Sequence, residues 1–292
     1  MIRIRVPATS ANLGPGFDCL GIALGLYNTF EVEESEELVL KGADERFRGE
    51  DNLFVKGFRA AGGTENIRVT FSCDIPVSRG LGSSASMYTG GVLACQLLHH
   101  CLDPKKAFTM VSDLEGHPDN AAPSVYGGLT ASMVGSQGWI THSIPVNEIL
   151  RFTVMIPDVE IRTEDAKKLL PDSYPGRVAA VNGAKAILTA EALRTGNMDL
   201  LWEAATDQLH EPYRRTLIPN YDTVKSVAES DNGGVVVISG SGSTCLLISD
   251  RPLSDRAAVK IMTLPEHWNV QELPVSSGPE YQENDDLWQG II

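Results

Sequence analysis

One short stretch of the chain carries the residue types that phosphate chemistry needs: Pro76, Val77, Ser78, Arg79, Gly80, Leu81, Gly82, Ser83, Ser84, Ala85 and Ser86. It runs straight into a helical pattern, because Met87, Gly91, Ala94, Leu98 and Cys101 recur at three- and four-residue steps. That spacing predicts a helix over 84–101 that starts near Ser83. The first-turn amides of a helix have no partner within it and the dipole there is positive, so such a start holds anions. Gly80 and Gly82 let the backbone approach phosphate oxygens with no Cβ in the way. The plainer alternative is a serine-capped helix after a glycine turn. Two glycines, two serines and Arg79 within six residues weigh against it.

The known phosphate fingerprints fail. No Lys-Ser or Lys-Thr pair follows a Gly-x-x-x-x-Gly spacing, and no Gly-x-Gly-x-x-Gly element opens the chain after a first strand. The loop instead resembles that of the kinase superfamily named for galactokinase, homoserine kinase, mevalonate kinase and phosphomevalonate kinase, which reads Pro-x-x-x-Gly-Leu-Gly-Ser-Ser-Ala. Two more segments, Pro7 to Asp18 (PATSANLGPGFD) and Glu115 to Pro123 (EGHPDNAAP), resemble the homoserine kinase branch. A third glycine-rich motif, Ser239-Gly240-Ser241-Gly242-Ser243, follows the apolar run Val235 to Ile238. The motifs extend from residue 5 to about residue 245 in the family's order.

Phosphoryl transfer needs a cradle for the nucleotide phosphates, a divalent ion and an aligned acceptor hydroxyl. The resemblance assigns the cradle to 76–86 and ATP as the nucleotide, with Asn52 as a contact to adenine. It assigns Mg²⁺ to Ser84 and Glu115; one hydroxyl, one carboxylate and the phosphates suffice for an ion that prefers oxygen and keeps several waters. Asp119 and Asn120 take the acceptor hydroxyl, as base or only as orienting groups, because an ordinary aspartate is a poor base for an alkanol.

An amino-acid acceptor also offers an ammonium and a carboxylate. By the same resemblance Asp18 pairs with the ammonium, Asn12 and His117 hydrogen-bond the substrate, and Arg214 grips the carboxylate, where its planar fork suits the task. Thr163 and Lys167 complete the set with a departure: many homoserine kinases have Thr-x-x-x-Arg where this chain has Thr163-Glu164-Asp165-Ala166-Lys167. Lysine keeps the charge and loses the fork. Taken singly, His117 reads equally as a turn residue, Arg214 as a surface charge, Asp18 as a turn cap and Lys167 as part of a solvated helix face. The implied activity is ATP-dependent phosphorylation of the side-chain hydroxyl of L-homoserine, a step toward threonine. Two other readings stay open: a kinase for another small alcohol such as threonine, shikimate or an isoprenoid precursor, and a non-catalytic relative. The second should have lost Ser84, Glu115 or Asp119, and none is lost.

What must position these groups is a globular protein. Its 292 residues are 42% hydrophobic, enough for a substantial core. A formal charge of -14 with no basic cluster disfavours nucleic acid and anionic membranes, though not ATP, which local amides and a metal can hold. Cys19, Cys73, Cys95, Cys101 and Cys245 are odd in number and form no C-x-x-C pair, so they read as structural thiols. No apolar run approaches a membrane span, and a cytoplasmic protein is expected. Arg68–Ile75 and Thr153–Pro157 read as strands, and 164–170 and 177–194 as helices. The acidic stretch Glu280–Asp286 reads as a solvated surface segment. A boundary between Ile144 and Leu150 gives units of 1–148 and 149–292. The resemblance implies an α+β fold: an N-terminal α/β domain like ribosomal protein S5, a C-terminal ferredoxin-like α+β domain, and an active site in the cleft between them. It leaves the oligomeric state open, with a homodimer as the form to test.

Overall fold

The computed structural model describes residues 1–43, 45–284 and 286–292. The chain starts with β1 (Ile2–Ala11), β2 (Leu20–Glu34) and β3 (Val39–Lys41), followed by α1 (Leu53–Ala60) and β4 (Ile67–Cys73). Three helices come next, α2 (Ser83–Leu98), α3 (Pro104–Glu115) and α4 (Pro118–Tyr126), then the hairpin β5 (Leu129–Gly135) and β6 (Gly138–Ile144). A second series opens with β7 (Arg151–Ile156), α5 (Thr163–Lys168), α6 (Gly176–Thr195), α7 (Met198–Ala204), α8 (Glu211–Arg214) and α9 (Tyr221–Asn232). It closes with β8 (Val235–Ile238), β9 (Cys245–Ser249), α10 (Asp255–Met262) and β10 (Asn269–Leu273), and the chain ends in β11 (Glu280–Glu283) and β12 (Gln289–Gly290).

The first sheet runs β12-β11-β1-β2-β4-β3, with β5 also on β2 and β6 on β5. In β1 the apolar Ile2, Ile4 and Val6 face the core while Arg3 and Arg5 face outward, the period-2 pattern of a half-buried strand. The β1–β2 register shifts between Pro7 and Ala8. Proline has no amide for the ladder, and the resulting bulge re-aims the end of β1, which carries Thr9 and leads to Asn12. Helices α1 to α4 pack on this sheet around a core that includes Phe30, Phe54 and Phe71, with ring centroids 4.9 to 5.7 Å apart. Helix α2 is sandwiched between β1, α1 and α3 and is buried from Thr89 through Leu97. A single apolar stripe therefore understates it, and Cys101, expected on that stripe, lies past the helix end and is exposed.

The second sheet runs β10-β7-β9-β8. Numbered by their order in this half, the strands lie 4-1-3-2, with α5 to α9 joining the first two and α10 the last two. That is the ferredoxin-like arrangement expected. Neighbouring residues alternate between its faces: Val154, Val237 and Leu246 pack against Ala8, Leu13, Ile22 and Leu24, whereas Met155, Val236 and Leu247 pack against Val224 and Ala228 of α9 and Ile261 of α10. The two halves thus share one apolar seam, and the fold is α+β with segregated antiparallel sheets. The sheets change over near Leu150, and we keep 1–148 and 149–292 as proposed units. One segment differs from its sequence reading: Glu280–Glu283 forms β11 on β1 and is half-buried, returning the chain's end to the first sheet.

Candidate active site

The cap of α2 is Gly82, in the left-handed region at φ 66, and no side chain caps the helix. The serine-capped alternative therefore does not hold; Ser83 and Ser84 are the first residues inside the helix, and its first-turn amides are left for a ligand. Glycine is required at Gly82 by space as well as by φ, since a Cβ would sit 1.8 Å from Thr9 Oγ1. At Gly80, φ is 76 and a Cβ would meet the Ser239 carbonyl at 2.1 Å. The third glycine-rich motif lies directly against the 76–86 loop: Ser239 Oγ donates to Gly80 O at 2.6 Å, and Thr244 N donates to Arg79 O at 3.1 Å.

Gly80, Gly82, Ser83 and Ser84 line a cleft of about 360 Å³, a volume ordinary for small-molecule sites. Asn12, Asp18, Asn52, Val77, Ser78, Arg79, Glu115, His117, Asp119, Asn120, Thr163, Lys167 and Arg214 line it too. Pro76, Leu81, Ala85 and Ser86 do not. Leu81 and Ala85 are core residues, and Ser86 bonds Asn28 at 2.7 Å behind the loop. The guanidinium of Arg79 reaches Pro157 O at 3.2 Å and Asp158 at 2.7 Å, tying the loop to the end of β7. Asn52 caps α1 through Phe54 N at 2.9 Å and donates to Phe47 O at 2.8 Å, so its carboxamide is engaged at both ends.

Helix α3 ends at Glu115 and α4 begins after His117, so the turn between them presents three polar groups to the cleft. His117 Nδ1 lies 2.6 Å from Asp119 Oδ1, which also accepts from Asn120 N at 3.0 Å. Burial pushes the His117 imidazole down, but its hydrogen bond to Asp119 and the charges of Asp119 and Glu115 outweigh it and hold it above its ordinary value. Burial raises the Glu115 carboxyl, while a hydrogen bond from Ser84 pulls the other way. Asn120 Oδ1 accepts from Thr9 Oγ1 at 2.7 Å, which fixes the carboxamide at the end of β1.

The groups suited to an amino acid come from both halves. Asn12, at φ 73, accepts from Asp18 N at 3.0 Å and donates to Gly240 O at 2.9 Å. Asp18 is open to the cleft, yet the surrounding walls exclude enough water to raise its carboxyl; Asp119 adds to that, and His117, Lys167 and Arg214 oppose it. Arg214 is buried at the end of α8, donates to Gly240 O at 2.9 Å and lies over the Phe17 ring at 5.1 Å. Its Nε is buried without a partner. Lys167 is exposed on α5, and Thr163 Oγ1 lies 3.5 Å from Ser241 Oγ. A helix start with unpaired first-turn amides, a hydroxyl–carboxylate pair, and an acid and a buried arginine thus share one cleft.

Residues 52–128 match the model of the GHMP kinases N terminal domain, and residues 189–263 that of the GHMP kinases C terminal. A curated homoserine kinase of Clostridium botulinum is 38% identical over 289 residues, covering 94% of this chain and 96% of its own length.

The chain belongs to the GHMP kinases.

Another homoserine kinase, from Caldicellulosiruptor saccharolyticus, is 35% identical over 94% of each chain. The crystal structure of homoserine kinase from Cytophaga hutchinsonii superposes with a TM-score of 0.84 at 25% identity, covering 96% of this chain and 97% of that one. The GHMP kinase fold places further residues in the cleft that the sequence reading omitted: Phe47, Leu53, Met87, Ile161, Arg162, Gly240 and Ser241. Gly240 and Ser241 lay in a motif already singled out, and their contribution was readable there. The apolar ones gave no such signal, because Phe47, Leu53 and Met87 look like any core residues. No helix among the described residues is long and apolar enough to cross a membrane.

Proposed function

We propose that this GHMP kinase transfers the γ-phosphoryl group of ATP to the side-chain hydroxyl of L-homoserine, giving O-phospho-L-homoserine and ADP. The observation that carries the reading is the placement of Asp18 and Arg214, suited to an ammonium and a carboxylate, in the same cleft as the amides that open α2. The relatives named homoserine kinase support it. In the reaction the acceptor oxygen forms a bond to phosphorus as the bond to the ADP oxygen breaks, and the hydroxyl proton passes to the transferred phosphoryl group or to water as the new bond forms, so the protein chiefly holds and aligns. The α2 amides and Gly80–Ser84 hold the phosphates. Asp18 and Arg214 fix the amino acid at its far end, with Lys167 adding a single ammonium contact to the carboxylate.

Asp119 is best suited to orienting the acceptor hydroxyl. Its Oδ1 already accepts from His117 and Asn120, and a carboxylate that accepts two hydrogen bonds is a weak base. Among the described residues no group of three or more His, Cys, Asp or Glu forms a metal cage. The donors beside the phosphate loop are one carboxylate, Glu115, and one hydroxyl, Ser84, which fits a hard ion that takes oxygen and keeps phosphates and water. They would hold Mg²⁺, which when bound neutralises the charge developing on the phosphates. We place the enzyme in the cytoplasm, and a homodimer is the assembled form to test by sedimentation.

The deciding experiment measures ADP release from the purified protein with MgATP and, in turn, L-homoserine, L-threonine, L-serine, shikimate and mevalonate. Turnover confined to homoserine supports the reading. Preference for another alcohol keeps the kinase and moves the substrate, and nucleotide binding without any turnover overturns it.

A further inference from the structure

His210 is fully buried beside the cleft without lining it. It precedes α8, one helical turn before Arg214, so the two side chains share a face. Its backbone is held firmly: the Asp207 carboxylate accepts the amides of Leu209, His210 and Glu211 at 3.0, 2.6 and 2.8 Å. The ring makes two hydrogen-bond contacts, one in each half of the acceptor site, and its Nε2 also lies 3.7 Å from Asp207 Oδ2. Nε2 lies 2.8 Å from the Gly14 carbonyl oxygen, and Nδ1 lies 3.4 Å from Arg214 Nη1. It also stacks on Phe17, centroids 5.2 Å apart, and the same ring underlies the Arg214 guanidinium.

These contacts admit one protonation state. A carbonyl oxygen only accepts, so Nε2 must carry the proton; a guanidinium only donates, so Nδ1 must be bare. The ring is therefore the neutral Nε2–H tautomer. The environment agrees: burial pushes the imidazole down, Asp207 opposes this and Arg214 adds to it, leaving it at about 4. The Gly14 carbonyl sits in the loop 12–18, where Asn12, Leu13, Gly14 and Asp18 all have positive φ. A loop in such conformations persists only where its surroundings hold it. His210 is one such hold; Asn12 donates to Gly240 O at 2.9 Å, and Asn182 on α6 donates to Pro15 O at 2.8 Å while accepting Gln208 N at 3.0 Å.

We propose that His210 is the positioning residue of the amino-acid site: its ring spans from Gly14 O to Arg214 and fixes the loop that carries Asp18 relative to the guanidinium, so that the ammonium and carboxylate of one α-amino acid are met together. This rests on the reading of the cleft as an amino-acid kinase. ATP binds through the phosphate loop, which His210 does not touch. Loss of His210 therefore acts on one substrate and spares the other, an asymmetry that a merely structural role does not produce.

The test compares wild type, His210→Leu and His210→Gln in steady-state kinetics, varying acceptor and MgATP separately. His210→Leu is expected to raise the acceptor KM about tenfold or more, with KM for MgATP moving less than about twofold. His210→Gln, whose amide both donates and accepts, recovers part of the loss. An unchanged acceptor KM in folded His210→Leu, or equal rises in both KM values, overturns the proposal. If the leucine variant does not fold, ¹⁵N NMR of the wild-type histidine rings decides: a neutral Nε2–H ring at pH 7 is expected for His210, and a protonated or Nδ1–H ring overturns it. A wild type that turns over no amino acid at all is a different result, because it removes the proposed function itself.

Discussion

Asn12 and Arg214 donate to one and the same oxygen, the carbonyl of Gly240, each at 2.9 Å. Asn12 lies 228 residues before that carbonyl in the chain and belongs to the first half; Arg214 and Gly240 belong to the second. The shared acceptor locks the loop of Asp18 to the helix of Arg214 at the base of the cleft, and it also spends one donor of each residue. The guanidinium still lines the cleft, while its Nε is buried without a partner.

Arg214→Lys therefore removes more than charge geometry. The ammonium keeps one contact and loses the fork, so either Gly240 O or the substrate goes without a donor. We expect KM for homoserine to rise about tenfold or more while KM for ATP changes little. A melting curve separates this from unfolding, since Arg214 is buried. Unchanged homoserine KM would assign the carboxylate to Lys167 instead.

Ser84→Ala and Glu115→Ala test the other end of the cleft. Each is expected to lower kcat by about 10²-fold or more, in line with removing a group that stabilises charge only in the transition state. Both residues are partly exposed to the cleft, so the melting temperature should stay close to that of wild type. Raising the magnesium concentration is expected to recover part of the Glu115→Ala loss and to leave the Arg214→Lys defect as it is. Wild-type rates in either variant would remove that residue from the metal assignment.

Much of this site was legible in the sequence because phosphate and carboxylate recognition leave local marks. Gly80, Gly82 and Ser84 announce a helix start whose first-turn amides are left unpaired, and Glu115, His117 and Asp119 lie within five residues of one another. Arg79 shows the limit: its type suggested a phosphate contact, but its guanidinium binds Asp158 and Pro157, residues that only the fold brings near. The role of His210 was invisible for the same reason, since its carbonyl partner Gly14 lies 196 residues before it. Pairing over such distances has no periodic signature. Helix α2 was found, but its burial on nearly all sides depends on α1 and α3, which a stripe of five residues does not encode.

Glu211, next to His210, predicts a pH dependence of stability. Burial raises its carboxyl to about 8, despite the Ile238 amide that donates to Oε1 at 2.6 Å and favours the ionised form. An unfolded glutamate titrates near ~4.3. Between these values the folded protein holds a proton that the unfolded chain has released. The stabilisation is thus fully present below about pH 4 and is lost as pH rises toward 8, by a few kcal/mol in order of magnitude. Glu211→Gln keeps an oxygen for Ile238 N and cannot ionise. Denaturant titrations from pH 5 to 9 should show wild type falling behind this variant as pH rises. Parallel curves would mean that the folded carboxyl is already ionised.

The C-terminal segment makes the last prediction, because its acidic composition concealed a structural role. Arg5 on β1 donates from Nε to Glu280 Oε2 at 2.8 Å, and its guanidinium lies over Tyr27 at 4.9 Å and over Trp288 at 4.8 Å. An isolated pair at a partly exposed position contributes under about 1 kcal/mol. Two aromatic faces around the cation add about 0.5–1 kcal/mol each, and they also exclude water from the pair. Arg5 therefore staples β11 and the segment that follows it onto the edge of the first sheet, where an unpaired β1 would otherwise expose its ladder groups. Arg5→Met keeps the apolar stem and removes the charge. It is expected to cost about 1–2 kcal/mol, read as a melting temperature lower by a few degrees for a chain of this size. None of Arg5, Glu280 and Trp288 lines the cleft, so kcat and both KM values should match wild type. A variant that melts like wild type would show that the ladder between β1 and β11 holds the segment alone; one that loses activity in step with stability would couple this edge to Thr9 and Asn12 at the far end of β1.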